Sequence, residues 1–211
     1  MTSEIDYTLK LIIIGNANVG KTSFFNKIQN NSAYFVGSII GVDFTKMYYT
    51  INNKRTKVIV WDTTAQESFH SIIKSCFRDT CGVILMIDVS KPDTCNQLED
   101  WLKMLVYDNK CSHEHPILLL GNKSDLQNRI DMDDIDRLIQ EYKLVYREIS
   151  CKADAQYHLE EIFTSFISKI IEGDHIEDCH GIKILDGNSL HNTLNEKHNM
   201  IYKSKNYCNI V

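Results

Sequence analysis

The sequence predicts an α/β domain: a six-stranded, mostly parallel sheet with one antiparallel strand and helices on both faces. Three observations carry that expectation. Short apolar runs alternate with amphipathic stretches along most of the chain. A glycine-rich turn joins the first apolar run to the first amphipathic stretch, the context that a phosphate-binding loop requires. Polar motifs follow the apolar runs, where the C-terminal ends of parallel strands gather a ligand site.

Residues 10–14 form the first short apolar run, ending at Gly15, and residues 20–28 the first helical pattern. Residues 44–51 and 55–61 are β-rich and separated by Asn52-Asn53-Lys54, a turn signal, so they read as a hairpin. Buried-type strands follow at 83–87 and 117–120, with a sixth at 144–149. Helical patterns lie at 69–76, 92–108, 133–142 and 155–172. Residues 1–9 read as an N-terminal extension, 10–172 as the domain, and 173–211 as a mobile tail. That tail holds four histidines and six asparagines with little apolar periodicity.

Bulk composition narrows the class. The chain has 211 residues, 24% of them charged and 43% hydrophobic, enough to bury a core in one domain. A net charge of −5 without a basic stripe argues against a nucleic-acid partner. The apolar runs are too short to span a bilayer. The acidic start Met1 to Asp6 has no secretory apolar core, and Thr2 stands where myristoylation needs glycine. Seven scattered cysteines without a Cys-x-x-Cys pair suit a reducing compartment rather than a disulfide framework or a zinc site. The tail histidines lack tight metal-ligand spacing.

Gly15-Asn16-Ala17-Asn18-Val19-Gly20-Lys21-Thr22 is a complete phosphate-binding loop. Backbone N–H groups of residues 16–22, with Asn18, Val19 and Gly20 among them, would cup phosphates at a helix N-terminus, and Ser23 is a further nucleotide-binding candidate. Lys21 would reach the β- and γ-phosphates, and the Thr22 hydroxyl would ligate Mg²⁺. Asp62, at a strand end, could hold the same ion through water; alone it could equally be a turn residue. Asn122-Lys123-Ser124-Asp125 follows the strand at 117–120. A carboxylate there can accept from the ring N–H and the exocyclic amine of guanine, a donor pair that adenine lacks. Asp125 would thus choose the base, with Asn122 and Lys123 packing loop and ring. Ser150-Cys151-Lys152, after the last strand, would add a contact from the Cys151 N–H to the guanine carbonyl. A P-loop kinase or ATPase would need adenine and is disfavoured by Asp125.

With these motifs in place, residues 10–172 resemble a Ras-superfamily small GTPase, most like the Rab family: a single P-loop NTPase G domain. Rab-like stretches include Ile40-Gly41-Val42-Asp43-Phe44, Trp61-Asp62-Thr63, Gln66-Glu67-Ser68-Phe69 and Trp101. The resemblance implies GTP/GDP and Mg²⁺ as ligands, and Gln66 as the residue that orients the attacking water. It also implies an exchange factor, a GTPase-activating protein and effectors as partners, and a role in vesicle traffic on the cytosolic face of an intracellular membrane.

Two departures stand out. The family's switch I threonine is Ile39, which has no oxygen for the metal or the γ-phosphate. The glycine of the family's Asp-Thr-Ala-Gly-Gln-Glu is Ala65, whose Cβ disfavours close approach to the phosphate. These substitutions support a second reading, a nucleotide-loaded scaffold that hydrolyses and switches poorly. Tyr34 and Phe35 are both candidates for the aromatic that stacks on guanine. The effector-facing aromatic triad maps to Phe44, Trp61 and Cys76, and Phe44 and Trp61 could equally pack the sheet edge. Cys208, fourth from the end in Cys208-Asn209-Ile210-Val211, fits a prenylation signal, with Lys197, Lys203 and Lys205 adding weak electrostatic help.

Overall fold

A computed structural model describes residues 5–29, 33–39, 42–63, 77, 80–108 and 115–173, with the backbone alone at 34–39, 42, 107 and 108. The chain runs β1 (Tyr7–Ile14), α1 (Lys21–Ile28), β2 (Tyr34–Ile39), β3 (Val42–Ile51), β4 (Lys54–Thr63) and β5 (Gly82–Asp88). It continues with α2 (Thr94–Lys103), a short π-helical stretch (Met104–Asp108), β6 (Ile117–Asn122), α3 (Met132–Tyr142), β7 (Val145–Glu148) and α4 (Gln156–Glu172). The helix expected at 69–76 lies outside the described residues.

The sheet order is β2-β3-β4-β1-β5-β6-β7. β1 pairs parallel with β4 and β5, β5 with β6, and β6 with β7. β3 alone runs against its neighbours, β2 and β4. The α/β class, the one antiparallel strand and all six expected strands are therefore present. A seventh, β2, extends the edge. Its sequence, Tyr34-Phe35-Val36-Gly37-Ser38-Ile39, carries aromatic and β-branched residues but also a glycine. The glycine and the register shift between Phe35 and Gly37 mark a bulge, which masks the alternation that betrays a strand.

The hairpin between β3 and β4 turns on Asn52 and Asn53, at φ 50° and 60°. Two central residues with positive φ match the right-handed twist of the flanking strands, and asparagine tolerates that region better than most residues. β1 begins at Tyr7, earlier than expected, because Tyr7 and Thr8 keep pairing with Thr56 and Lys57 despite their polarity.

Period-two alternation sorts the central strands into two apolar faces. Leu9, Leu11, Ile13, Val58, Val60, Ile84 and Met86 join Phe24, Phe25 and Ile28 of α1 and Leu159, Phe163 and Phe166 of α4 in one core. Ile12, Ile14, Val83 and Leu85 are also buried but lie outside that cluster. So do Leu98 and Leu102 of α2, which contacts β5 and α3. Strand order reverses about β1, so the crevice beyond its C-terminal end is where a doubly wound sheet binds ligands. No helix among the described residues is long and apolar enough to cross a membrane.

Candidate functional site

The loop from Gly15 to Gly20 leaves β1 and enters α1 at that crevice. Gly15 sits at φ 136°, and a Cβ there would run into the Met86 carbonyl of β5. Gly20, at φ 105°, caps α1, and a Cβ would strike the Asn122 side-chain amide. Both conformations favour glycine, and both contacts require it. Asn18 is also left-handed, at φ 62°. Val19 is buried, while Ser23 stands on the exposed side of α1's first turn.

Lys21 folds back over the loop. Its Nζ donates to the Gly15 and Asn16 carbonyls, each at 2.8 Å. Burial lowers its pKa to about 8, against the pull of Asp62, which acts to raise it. A desolvated ammonium whose hydrogen-bond partners among the described residues are two neutral carbonyls is a cation poised for an anion. The Asn16 side chain is held in turn, its Oδ1 accepting from Trp101 Nε1 at 2.6 Å.

The Thr22 hydroxyl donates to Asp62 Oδ2 at 2.8 Å, which brings together the two residues expected to serve a metal. Asp62 is buried at 3% exposure, and its Oδ1 has no hydrogen-bond partner among the described residues. Burial raises its pKa, outweighing the Thr22 hydrogen bond and the Lys21 charge. An ionised carboxylate oxygen left bare in the interior is costly unless a cation compensates it. A hydroxyl beside a buried carboxylate is an all-oxygen donor set, the kind that Mg²⁺ accepts with water completing the shell. These residues fit the ion.

The end of the crevice expected to take the base is tied together by Asn122, which is 2% exposed. Its Nδ2 donates to the Val19 carbonyl at 2.7 Å, and its Oδ1 accepts from the Cys151 N–H at 2.9 Å. One side chain thus joins the phosphate loop to the loop after β7. The Cys151 N–H, expected to face a guanine carbonyl, donates to Asn122 Oδ1, and burial pushes the Cys151 thiol up to about 11. Asp125 Oδ1 accepts from the Ser150 hydroxyl at 2.6 Å, and that hydroxyl oxygen accepts from the Lys152 and Ala153 N–H groups. Asp125 itself is exposed, with its second oxygen outside the hydrogen bonds of the described residues. Lys152 is an exposed turn residue. Lys123, at φ 69°, places its Nζ 2.7 Å from Asp88 Oδ2.

Phe44 and Trp61 are 5% and 6% exposed and stack with ring centroids 5.5 Å apart. Lys10 Nζ lies 4.4 Å from the centre of the Trp61 ring, within cation–π range. Their packing role at the sheet is thus observed. The backbone of Tyr34 and Phe35 belongs to β2. Ile39 ends that strand opposite Val42, which itself pairs with Thr63 beside Asp62. Two strand spacings, about 10 Å, thus separate the Ile39 backbone from β4. Ala65, Gln66, Cys76 and Cys208 lie outside the described residues.

Three contributors escaped the sequence reading. Asp88 partners Lys123, and Asp154 caps the Ser150 N–H at 2.8 Å. The third is the tether from Trp101 Nε1 to the Asn16 side chain. The available signal for Asp88 was its place at the end of a strand, one strand away from Asn122.

Comparisons with known proteins agree with this geometry. The Ras family model matches residues 10–172. The chain is 32% identical over 173 residues to Ras-related protein RABC1 of Arabidopsis thaliana, covering 80% of each chain. It is 32% identical to Ras-related protein Rab-13 of Rattus norvegicus, over 81% of this chain and 84% of that one. With Ras-related protein Rab-11B of Dictyostelium discoideum it shares 30% identity, over 96% of this chain and 78% of the relative. A phosphate loop, a buried Asn122 staple and an Asp125–Ser150 pair at the switch point of the sheet, together with these matches, place the chain in the Ras family, as a Rab-like member.

Proposed function

We propose that this protein binds GDP and GTP with Mg²⁺ and hydrolyses GTP slowly, as a regulator of intracellular membrane traffic. The observation that carries the reading is Asn122, whose two hydrogen bonds join the phosphate loop to the loop after β7. Lys21 would exchange its two carbonyl partners for phosphate oxygens. Thr22 and the bare oxygen of Asp62 would hold Mg²⁺, which neutralises charge on the β- and γ-phosphates. Asp125 would take the two guanine donors on its free oxygen while Ser150 fixes the other. Gln66 would orient the water that attacks the γ-phosphorus as the bond to the β-phosphate oxygen breaks. Cys208 would carry a prenyl group, and one such chain gives reversible, partner-assisted attachment to a cytosol-facing membrane. An exchange factor, a GTPase-activating protein and effectors would set the cycle.

A second reading has a specific observation in its favour. Ile39 offers no oxygen ligand, and its backbone is paired at the sheet edge, two strands from Asp62. A nucleotide-loaded scaffold with impaired hydrolysis would be built in this way. Single-turnover GTP hydrolysis by the protein and by Ile39→Thr/Ala65→Gly decides between them. Mg²⁺-dependent turnover in the unmodified protein supports the GTPase. No turnover, even with cell extract, supports the scaffold.

A further inference from the structure

Asp88 closes β5 directly beside Asn122 of β6 and is 3% exposed. Among the described residues, each contact of its carboxylate serves to fix it. Oδ1 accepts from the Ser90 N–H at 3.0 Å and from the Ser90 hydroxyl at 2.6 Å. Oδ2 takes the Lys123 ammonium at 2.7 Å. Its backbone carbonyl accepts from the Thr94 hydroxyl at 2.7 Å, which anchors the residue to the first turn of α2. Burial alone would raise its pKa, but Lys123 and Ser90 together hold it below the usual carboxylate value.

Lys123 is the less constrained partner, with a quarter of its side chain exposed and its backbone in the left-handed region. A long, flexible cation at a loop would otherwise sample solvent, since a lysine stem has four rotatable bonds and a strongly hydrated head. The surrounding loop is stitched to the same strand end. The Val89 N–H donates to the Asn122 carbonyl, and the Arg129 N–H to the Val89 carbonyl. The ammonium is thereby tied at one end and the backbone at the other.

We propose that Asp88 is a positioning residue for the base, its Ser90-fixed carboxylate holding the Lys123 ammonium so that the lysine stem lies against the guanine ring. This rests on the reading of the loop 122–125 as the guanine site. The carboxylate acts through Lys123 and does not touch the nucleotide. A lysine immobilised beforehand loses less freedom on binding, and the saving appears as slower release of the nucleotide.

The test is a double-mutant cycle on the full chain, reading the rate of release of fluorescent GDP from Asp88→Asn, Lys123→Met and the pair. Asp88→Asn keeps the shape and the Ser90 contacts; Lys123→Met keeps an apolar stem. Each single variant should speed release about tenfold, as befits loss of a charge-assisted contact. The pair should be no faster than the faster single variant. If the effects multiply, or if Lys123→Met matters and Asp88→Asn does not, the positioning role is overturned while the guanine site stands. If Lys123→Met leaves release unchanged, the guanine reading of Lys123 falls and the inference with it. A second measurement covers a variant that fails to fold. In the GDP-loaded, unmodified protein the ¹⁵N-lysine ammonium signal of Lys123 should be protected from solvent exchange. Free exchange of that signal would overturn the pairing.

Discussion

The proposed base end and the proposed phosphate end of the site are built on opposite terms. At the base end each central polar group already has a protein partner: Asn122 with Val19 and Cys151, Asp125 with Ser150, Lys123 with Asp88. At the phosphate end the groups are held in suspense. Asp62 keeps one buried oxygen without a partner among the described residues, Lys21 rests on two carbonyls of its own loop, and Ile39, the expected switch I position, has no side-chain oxygen. The first region is preorganised and gains little by closing on a ligand, so it should set affinity and base choice. The second carries desolvation costs that an anion and a cation would relieve, so it should respond to phosphate, Mg²⁺ and pH.

Removing the staple should break the contrast most severely. Asn122→Ala leaves the buried Val19 carbonyl and Cys151 N–H without their partner, at about 1–3 kcal/mol each. GDP affinity should fall on the order of a hundredfold, measured by titration with a fluorescent nucleotide, with the melting temperature falling too. A fall in affinity without any loss of stability would mean that Asn122 acts on the ligand alone.

At the other end the sign should differ. Asp62→Asn removes a carboxylate that burial holds above its usual pKa, so at neutral pH the nucleotide-free protein should melt higher. The same variant should lose roughly tenfold or more of the Mg²⁺-dependent gain in nucleotide retention. Retention that stays Mg²⁺-dependent would separate Asp62 from the metal.

Lys21 sharpens the same contrast through pH. Its pKa in the free protein is lowered from 10.5 to about 8, and bound phosphate would raise it again. Below pH 8 the ammonium is already charged and affinity is fully present. Above pH 8 binding must take up a proton, so affinity should fall by up to about tenfold per pH unit until the bound-state pKa is reached. Isothermal titration in buffers of different ionisation enthalpy would report that uptake, and Lys21→Met should abolish it.

The smallest expected effect lies where the regions meet. Trp101→Phe deletes the donor to Asn16 while keeping an aromatic ring on α2. A lost hydrogen bond of about 1 kcal/mol should weaken GDP binding roughly fivefold. An unchanged affinity would mean that the loop holds its shape without the tether.

Much of this was legible beforehand, and the reason is local. Gly15, Gly20, Lys21 and Thr22 sit at fixed spacing because backbone approach and a helix N-terminus demand those residue types together. The strands at 83–87 and 117–120 announced themselves by unbroken apolar runs. β2 did not, because Gly37 and the bulge beside it interrupt its pattern and edge pairing supplies what propensity does not. Asp88 and Asp154 were invisible for another reason. Their roles depend on partners 35 and 4 residues away whose meeting is decided by strand order and loop geometry, not by spacing. The hydrogen bond from the Cys151 N–H to Asn122 was hidden in the same way, 29 residues apart in sequence.

The most direct test of the contrast is the affinity of the purified protein for GDP and GTP, each with and without Mg²⁺. A preorganised base end and a γ-phosphate end without the switch I oxygen predict tight GDP binding that Mg²⁺ strengthens through Thr22 and Asp62. They also predict that GTP with Mg²⁺ binds no tighter than GDP with Mg²⁺, and that Ile39→Thr shifts the balance toward GTP. A marked preference for GTP in the unmodified protein, present only with Mg²⁺, would contradict the account.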